Sequence, residues 1–145
     1  MATACDVAKY FLTLSEPDEG DFVTPLKLQK LCYYAQGAAL AIFGRPLFAE
    51  EILAWAHGPV VRSVFDAYRE HGSAAIPIPV DFTAEDVLTD EERELLDEVW
   101  NVYGQFSAWK LRNMTHEEPP WANAARDAVI THDALRAYFR TRIVV

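Results

Sequence analysis

The segment from residue 24 to residue 43 constrains the fold most strongly, because it reads as a long helix that is apolar on two sides. Thr24 can cap this helix and Pro25 suits its first position, while Gly44 and Pro46 end it. One apolar arc consists of Leu28, Leu31, Cys32, Ala35, Ala38, Ala39 and Ile42, and a second stripe consists of Leu26, Tyr33 and Leu40. Such a helix buries both sides when it lies at the centre of a helical bundle.

Further helix signals surround this segment. Thr3 with Asp6 and Thr89 with Glu92 have the spacing of capping boxes, and each pair precedes a stretch with apolar residues at helical spacing. Helix starts are also predicted at Gly58–Pro59, Ser107, Pro119–Pro120, and Thr131 or His132. The 45–57 segment is compatible with a short helical turn or an irregular strand.

The segment 74–83 separates the two halves of this pattern. Pro77 and Pro79 stand at alternate positions, which favours an extended connection within the domain and not an inner strand. A chain of 145 residues is long enough to bury a core as one domain. We therefore predict a single all-α domain over residues 1–145, a compact bundle of about six or seven helices with little or no strand.

The charge balance limits the classes of partner. Thirteen Lys and Arg against 22 Asp and Glu give a net charge of −9, which disfavours nucleic acid and favours a basic or protein partner. Nine of the acids lie between Asp81 and Glu98 with Arg93 as the single base, a local net charge of −8. Either these acids form a solvated helix start that complements the helix dipole, or they form a docking patch.

The sequence carries no visible targeting or membrane signal. The N-terminus lacks a basic region followed by an apolar run, and the apolar stretch 26–43 is interrupted by Lys27, Gln29, Lys30 and Gln36. Cys5 and Cys32 are too few for a disulfide framework. We predict a cytoplasmic protein that does not interact with membranes.

Candidate chemistry is sparse. His57, His71, His116 and His132 do not stand at the spacing that places two metal ligands on one helix, and neither a nucleophile elbow nor a Gly-rich phosphate loop is present. We therefore assign no catalytic residue, metal ligand or cofactor. Two alternatives stay open: a hydrolase or metal enzyme built from His57, His116 and nearby carboxylates, and a weak nucleic-acid-binding regulator that uses Lys27, Lys30 and the C-terminal arginines.

Four stretches together resemble a known family. They read TPLKLQKLCYYAQG at 24–37, RPLF at 45–48, AWAHGPV at 54–60 and THEEPPW at 115–121. Their order and spacing are similar to the Panacea domain of SocA-like antitoxins, which bacteria and phages encode, and the likeness spans nearly the whole chain.

The resemblance implies an α-helical, non-enzymatic antitoxin that neutralises a small toxin by direct contact, the toxin being encoded by an adjacent gene. In the SocA-like case the antitoxin also acts as a proteolytic adaptor that presents its toxin to the ClpXP protease. The expected partners are therefore the cognate toxin and ClpX or ClpXP. We expect the stand-alone form of the domain, without an appended DNA-binding domain.

The motif residues have two interpretations, pins that fix the corners of the bundle or members of a recognition groove. The partner-binding candidates are Lys27, Lys30, Tyr34, Trp55, His57, Arg62, His116, Glu117 and Trp121. The structural candidates are Thr24, Pro25, Gly58, Pro59 and Thr115. Lys27 and Lys30 also suit ordinary solvated charges.

Overall fold

The computed structural model describes residues 1–142. Within that range the chain is mostly helical, as the sequence predicts. Its seven α-helices are α1 (Ala4–Leu14), α2 (Pro25–Ile42), α3 (Arg62–Tyr68), α4 (Asp90–Tyr103), α5 (Ala108–Glu117), α6 (Pro119–Ala122) and α7 (His132–Arg142). Single 3₁₀ turns lie at Pro17–Glu19, Arg69–His71 and Ala84–Asp86.

Helix α2 is the central element of the bundle, and this prediction is confirmed. Helices α1, α4, α5 and α7 pack around it, and most of its side chains from Lys27 to Leu40 are buried. Gly37 faces the ring of Phe139 on α7, and the absence of a side chain at Gly37 lets the two helices approach closely. Among the described helices, none has the length and apolar character that a bilayer crossing requires.

The predicted helix boundaries follow local chemistry. Thr3 and Thr89 both form complete capping boxes, and Thr24 and Ser107 also accept a hydrogen bond from the third residue of their helices. Glu118 ends α5 and begins α6 with an extended backbone, because the following proline excludes the helical conformation at this residue.

The predicted all-α class is correct only in part, because the chain has little strand but that strand forms a sheet. Strands β1 (Ile52–Trp55), β2 (Gly58–Val61) and β3 (Val129–Ile130) form a small antiparallel sheet in the order β2-β1-β3. Ile52 lies opposite Val61 on one side and Ile130 on the other. The sheet therefore joins the middle of the chain to the entry of α7.

The prediction that Gly58 and Pro59 open a helix is wrong. Both residues belong to β2, and the helix begins at Arg62. Gly58 has a φ of 112°, which turns the chain back from β1, and Pro59 then pairs with Ala54. A Gly-Pro pair suits a helix start by local preference, but strand pairing holds this segment extended.

We expect Gly37→Ala to destabilise the protein, although alanine is the better helix former by about 1 kcal/mol. A Cβ at this position would overlap the Phe139 ring, and overpacking of this kind costs about 1–3 kcal/mol. Urea denaturation measures the free energy of unfolding. In a Phe139→Leu background the same substitution should cost less, and an equal cost in both backgrounds would contradict the proposed overlap.

Candidate interaction site

The outer edge of β2 is covered by polar side chains of α2. The Gln29 side chain donates from Nε2 to the Val61 carbonyl at 3.1 Å and accepts at Oε1 from the Val61 N–H at 2.8 Å. Two turns later, Gln36 donates to the Phe48 carbonyl and accepts from the Leu47 N–H, both at 2.8 Å. Each amide thus provides the donor and acceptor that a neighbouring strand would provide.

Lys30 lies between these two amides and is completely buried. Its Nζ donates to the Pro59 carbonyl at 3.1 Å. Burial, followed by the nearby Arg112 guanidinium, lowers the pKa of Lys30 to about 7. The ammonium group is therefore held in place by the backbone of β2, at a cost in desolvation.

The turn between β1 and β2 is held from the other side by the region of α5 and α6. His116 Nε2 lies 2.9 Å from the Ala56 carbonyl, and Trp121 Nε1 donates to the Trp55 carbonyl at 2.8 Å. Because a carbonyl only accepts, His116 carries its proton on Nε2. We call Lys30, His116 and Trp121 the hairpin clamp, since each binds a carbonyl between residues 55 and 59.

Gly58 fits under the clamp because it has no side chain. A Cβ here would lie 2.8 Å from Lys30 Cε and 2.9 Å from Thr115 Oγ1, and the positive φ further disfavours other residues. Thr115 is itself buried and donates to the Arg112 carbonyl. The AHGP and THEEPPW stretches are therefore in direct contact.

A buried carboxylate lies next to the clamp. Glu118 accepts hydrogen bonds from Tyr33 at 3.0 Å and Tyr34 at 2.9 Å, and Tyr34 stacks on Tyr103 with ring centroids 3.8 Å apart. Burial raises the pKa of Glu118, and the hydrogen bonds from the tyrosines act in the opposite direction. This cluster ties the end of α5 to α2 and α4.

The outer surface of the hairpin borders a largely apolar pocket of about 410 Å³. Its lining includes Leu26, Trp55, Val60 and Phe65, and we call it the hairpin pocket. The Arg62 guanidinium carbon lies 5.3 Å from the Trp55 ring centroid and is exposed at the rim. The size and apolar lining of the pocket suit an apolar side chain.

The structure divides the partner-binding candidates into two groups. Those with a surface position are Trp55, His57, Arg62 and Glu117, together with the partly buried His116 and Trp121 of the clamp. Lys27, Lys30 and Tyr34 are buried, so the interpretation of the two lysines as solvated charges is wrong. Lys27 donates to the Gly104 carbonyl at 2.6 Å, which explains how helix α2 accommodates it.

The structural candidates lie at the start of α2, at the hairpin and on α5. Thr24 caps α2, Pro25 is its first residue, and Thr115 contacts the hairpin. Gly58 and Pro59 hold a corner, but the corner is a strand turn and not a helix start.

Sequence reasoning missed three groups that organise the site: Gln29 with Gln36, Glu118, and Arg126. The Arg126 side chain donates to the carbonyls of Ala54, Trp121 and Ala124. Two amides seven residues apart on an apolar helix were the available signal, because buried side-chain amides need partners. Nothing in the sequence indicated where Arg126 would bind.

The two histidines of the enzymatic alternative lie in different environments. His116 binds the hairpin backbone, whereas His57 lies at the exposed turn. Within residues 1–142 no group of three or more His, Cys, Asp and Glu side chains is placed to hold a metal ion.

The comparison with protein families decides the relationship. The family model described as antitoxin SocA-like, Panacea domain, matches residues 28–122. The chain belongs to this family. The matched range contains Gln29, the hairpin, the clamp and Glu118, so the whole contact system lies inside the Panacea domain. Comparison with curated proteins gives no match, and comparison with solved structures gives none either. Membership of an antitoxin family indicates a non-enzymatic role.

Because of Lys30, the free energy of unfolding of the Panacea domain should depend on pH. The pKa of Lys30 is about 7 in the folded state, whereas an unfolded lysine titrates near 10, so between these values the unfolded chain binds more protons. The free energy of unfolding should therefore rise from pH 7 to pH 9, with Lys30 contributing about 1 kcal/mol per pH unit.

Urea denaturation at several pH values measures this effect. Lys30→Met should flatten the rise, while the exposed control Lys110→Met should leave it unchanged. Equal pH dependence in the wild type and Lys30→Met would contradict a depressed lysine pKa.

Proposed function

We propose that this Panacea domain is the antitoxin of a toxin–antitoxin pair and neutralises its cognate protein toxin by direct binding. The observation that carries this proposal is the match of residues 28–122 to the SocA-like antitoxin family. The partner is the product of an adjacent gene. Helices α1 and α7 lie wholly outside the matched range but pack on α2, so the functional domain includes them as well.

The hairpin pocket is the first part of the proposed toxin contact. Its apolar lining accepts a side chain of the toxin and includes the partly buried Trp55 and the exposed His57. The exposed Arg62 lies beside the Trp55 ring, and Glu117 is exposed at the end of α5. The clamp supports this surface because it fixes the backbone of the hairpin on which Trp55 and His57 lie. A rigid surface loses less entropy on binding.

Delivery of the toxin to ClpXP is the second part of the proposal. The family resemblance supports it, since SocA-like antitoxins combine toxin binding with adaptor activity. In this scheme the domain holds the toxin and the protease degrades it, which needs no catalytic group in the antitoxin.

Co-expression with the small neighbouring gene tests the proposed function. We expect the domain to restore growth of cells that express the neighbour and to co-purify with it. The half-life of the neighbour is then measured with and without ClpXP. A half-life that shortens only when both ClpXP and the domain are present supports the adaptor role, whereas an unchanged half-life with rescue indicates sequestration alone.

Absence of both rescue and co-purification would contradict the antitoxin proposal. An unfolded antitoxin would give the same negative result, so the circular dichroism spectrum of the purified domain must first show its helical content.

Arg62→Glu tests the hairpin pocket as the toxin contact. Reversal of an exposed charge beside the Trp55 ring should weaken toxin binding by about tenfold or more, as measured by calorimetry. The exposed Arg140→Glu on α7 is the charge-matched control and should retain wild-type affinity. If the two variants bind equally well, the contact lies elsewhere.

A further inference from the structure

A second groove lies on the other side of the first turn of α2. It has a volume of about 690 Å³, and Thr24 and Lys27 line it, while Pro25 and Leu26 line the hairpin pocket. The first turn of α2 thus lies between the two cavities, with residues of its opposite sides lining one cavity each. The two cavities are therefore neighbours on the surface.

The groove offers aromatic surface. Phe22 is 47% exposed, and the partly buried Trp100 and Phe106 complete the apolar part of the lining. Exposed aromatic rings at a concave surface are typical anchor points for a partner side chain. We call this region the acidic groove, for the charges that surround it.

One wall of the groove is the acidic loop that precedes α2. Glu19 and Asp21 line the groove, and Glu16 and Asp18 are their neighbours in the same loop. The hydrogen bond and the charge of Glu19 raise the pKa of Glu16, which shows how closely these carboxylates are placed.

Helix α4 carries a second set of acids that leads towards the groove. Glu91, Glu94 and Glu98 are exposed and follow one another at helical spacing, and the next residue in this series, Asn101, lines the groove. The acidic stripe is therefore continuous with the groove. Glu92 does not belong to it, because it is buried in the capping box and binds Arg45 at 3.2 Å.

The only base in the lining is Lys27, and it is directed into the protein. Its Nζ donates to the Gly104 carbonyl and lies 5.6 Å from the Trp100 ring centroid, and the residue is 6% exposed. Among the charged residues that line the groove in the described part of the chain, those exposed to solvent are therefore the carboxylates Glu19 and Asp21.

From this arrangement we propose that the acidic groove is a docking site for a basic, amphipathic segment of the toxin. The aromatic floor takes an apolar side chain of that segment, and the acids of the loop wall, Glu19 and Asp21, attract its lysines and arginines. The acids of the 91–98 stripe extend the attraction beyond the groove and steer the approach of the toxin.

This inference rests on the proposed function and adds that the toxin segment in the acidic groove is basic. The toxin spans the first turn of α2, with an apolar anchor in the hairpin pocket and its basic segment in the acidic groove. A basic partner also complements the net charge of −9.

The test measures binding of the purified neighbouring gene product at several salt concentrations. We expect the double charge reversal Asp21→Lys with Glu98→Lys to weaken binding by about tenfold at low salt and to flatten the salt dependence. The charge-matched control is Glu51→Lys with Glu70→Lys, which changes exposed acids outside the groove and the stripe. Phe22→Ala should weaken binding at every salt concentration, because it removes an apolar contact.

Hydrogen exchange on the wild-type complex provides a readout that needs no variant. Toxin binding should protect backbone amides in residues 16–24 and 98–108. The docking site is supported if these amides are protected and if Asp21→Lys with Glu98→Lys lowers toxin affinity more than the control Glu51→Lys with Glu70→Lys does. If the toxin binds without protecting these amides, or if both double variants lose the same toxin affinity, the acidic groove is not the docking site. The antitoxin proposal then remains intact. If the wild type binds no neighbour product, the antitoxin proposal fails and the docking site falls with it.

Discussion

The hydrogen bonds between polar side chains of α2 and the backbone of its neighbours are the interaction on which the rest of the structure depends. Gln29, Lys30 and Gln36 satisfy backbone groups of β2 and of the loop at residues 47–48. A buried backbone group without a partner costs about 1–3 kcal/mol. The helix can therefore lie against the edge of a sheet, where otherwise another strand would be needed.

This arrangement explains why the sequence motifs are far apart in the chain and close together in space. The stretch 24–37 contributes the side chains that cap β2, the stretch 54–60 contributes the hairpin turn, and the stretch 115–121 contributes His116 and Trp121, which bind the turn. Each motif completes hydrogen bonds that the others leave open. Most residues of the stretches 24–37 and 54–60 are thus buried or partly buried, whereas His57 and Glu117 are exposed.

The contacts that fix the backbone are buried, whereas the two cavities are bordered by exposed residues, and this separation matters for the proposed function. The clamp and the Glu118 cluster fix the backbone from inside, so exposed residues around the two cavities can change without removing a buried contact. In the proposed function, affinity for a particular toxin is adjusted at the surface, by apolar fit in the hairpin pocket and by charge at the acidic groove. The buried contacts keep both surfaces in a fixed relation across the first turn of α2.

The sequence by itself determined the helices and the central position of α2, because capping boxes, prolines and apolar periodicity act over a few residues. Its motifs also identified the family. The tertiary structure decided the conformation of residues 52–61, since a short strand is stabilised by its neighbours, and Gly58–Pro59 favours a helix start locally. It also decided that Lys27 and Lys30 are buried. Their ammonium groups donate hydrogen bonds to the carbonyls of Gly104 and Pro59, and both of these residues are distant in the chain. The acidic groove has the same origin, since its two walls come from segments that only folding brings together.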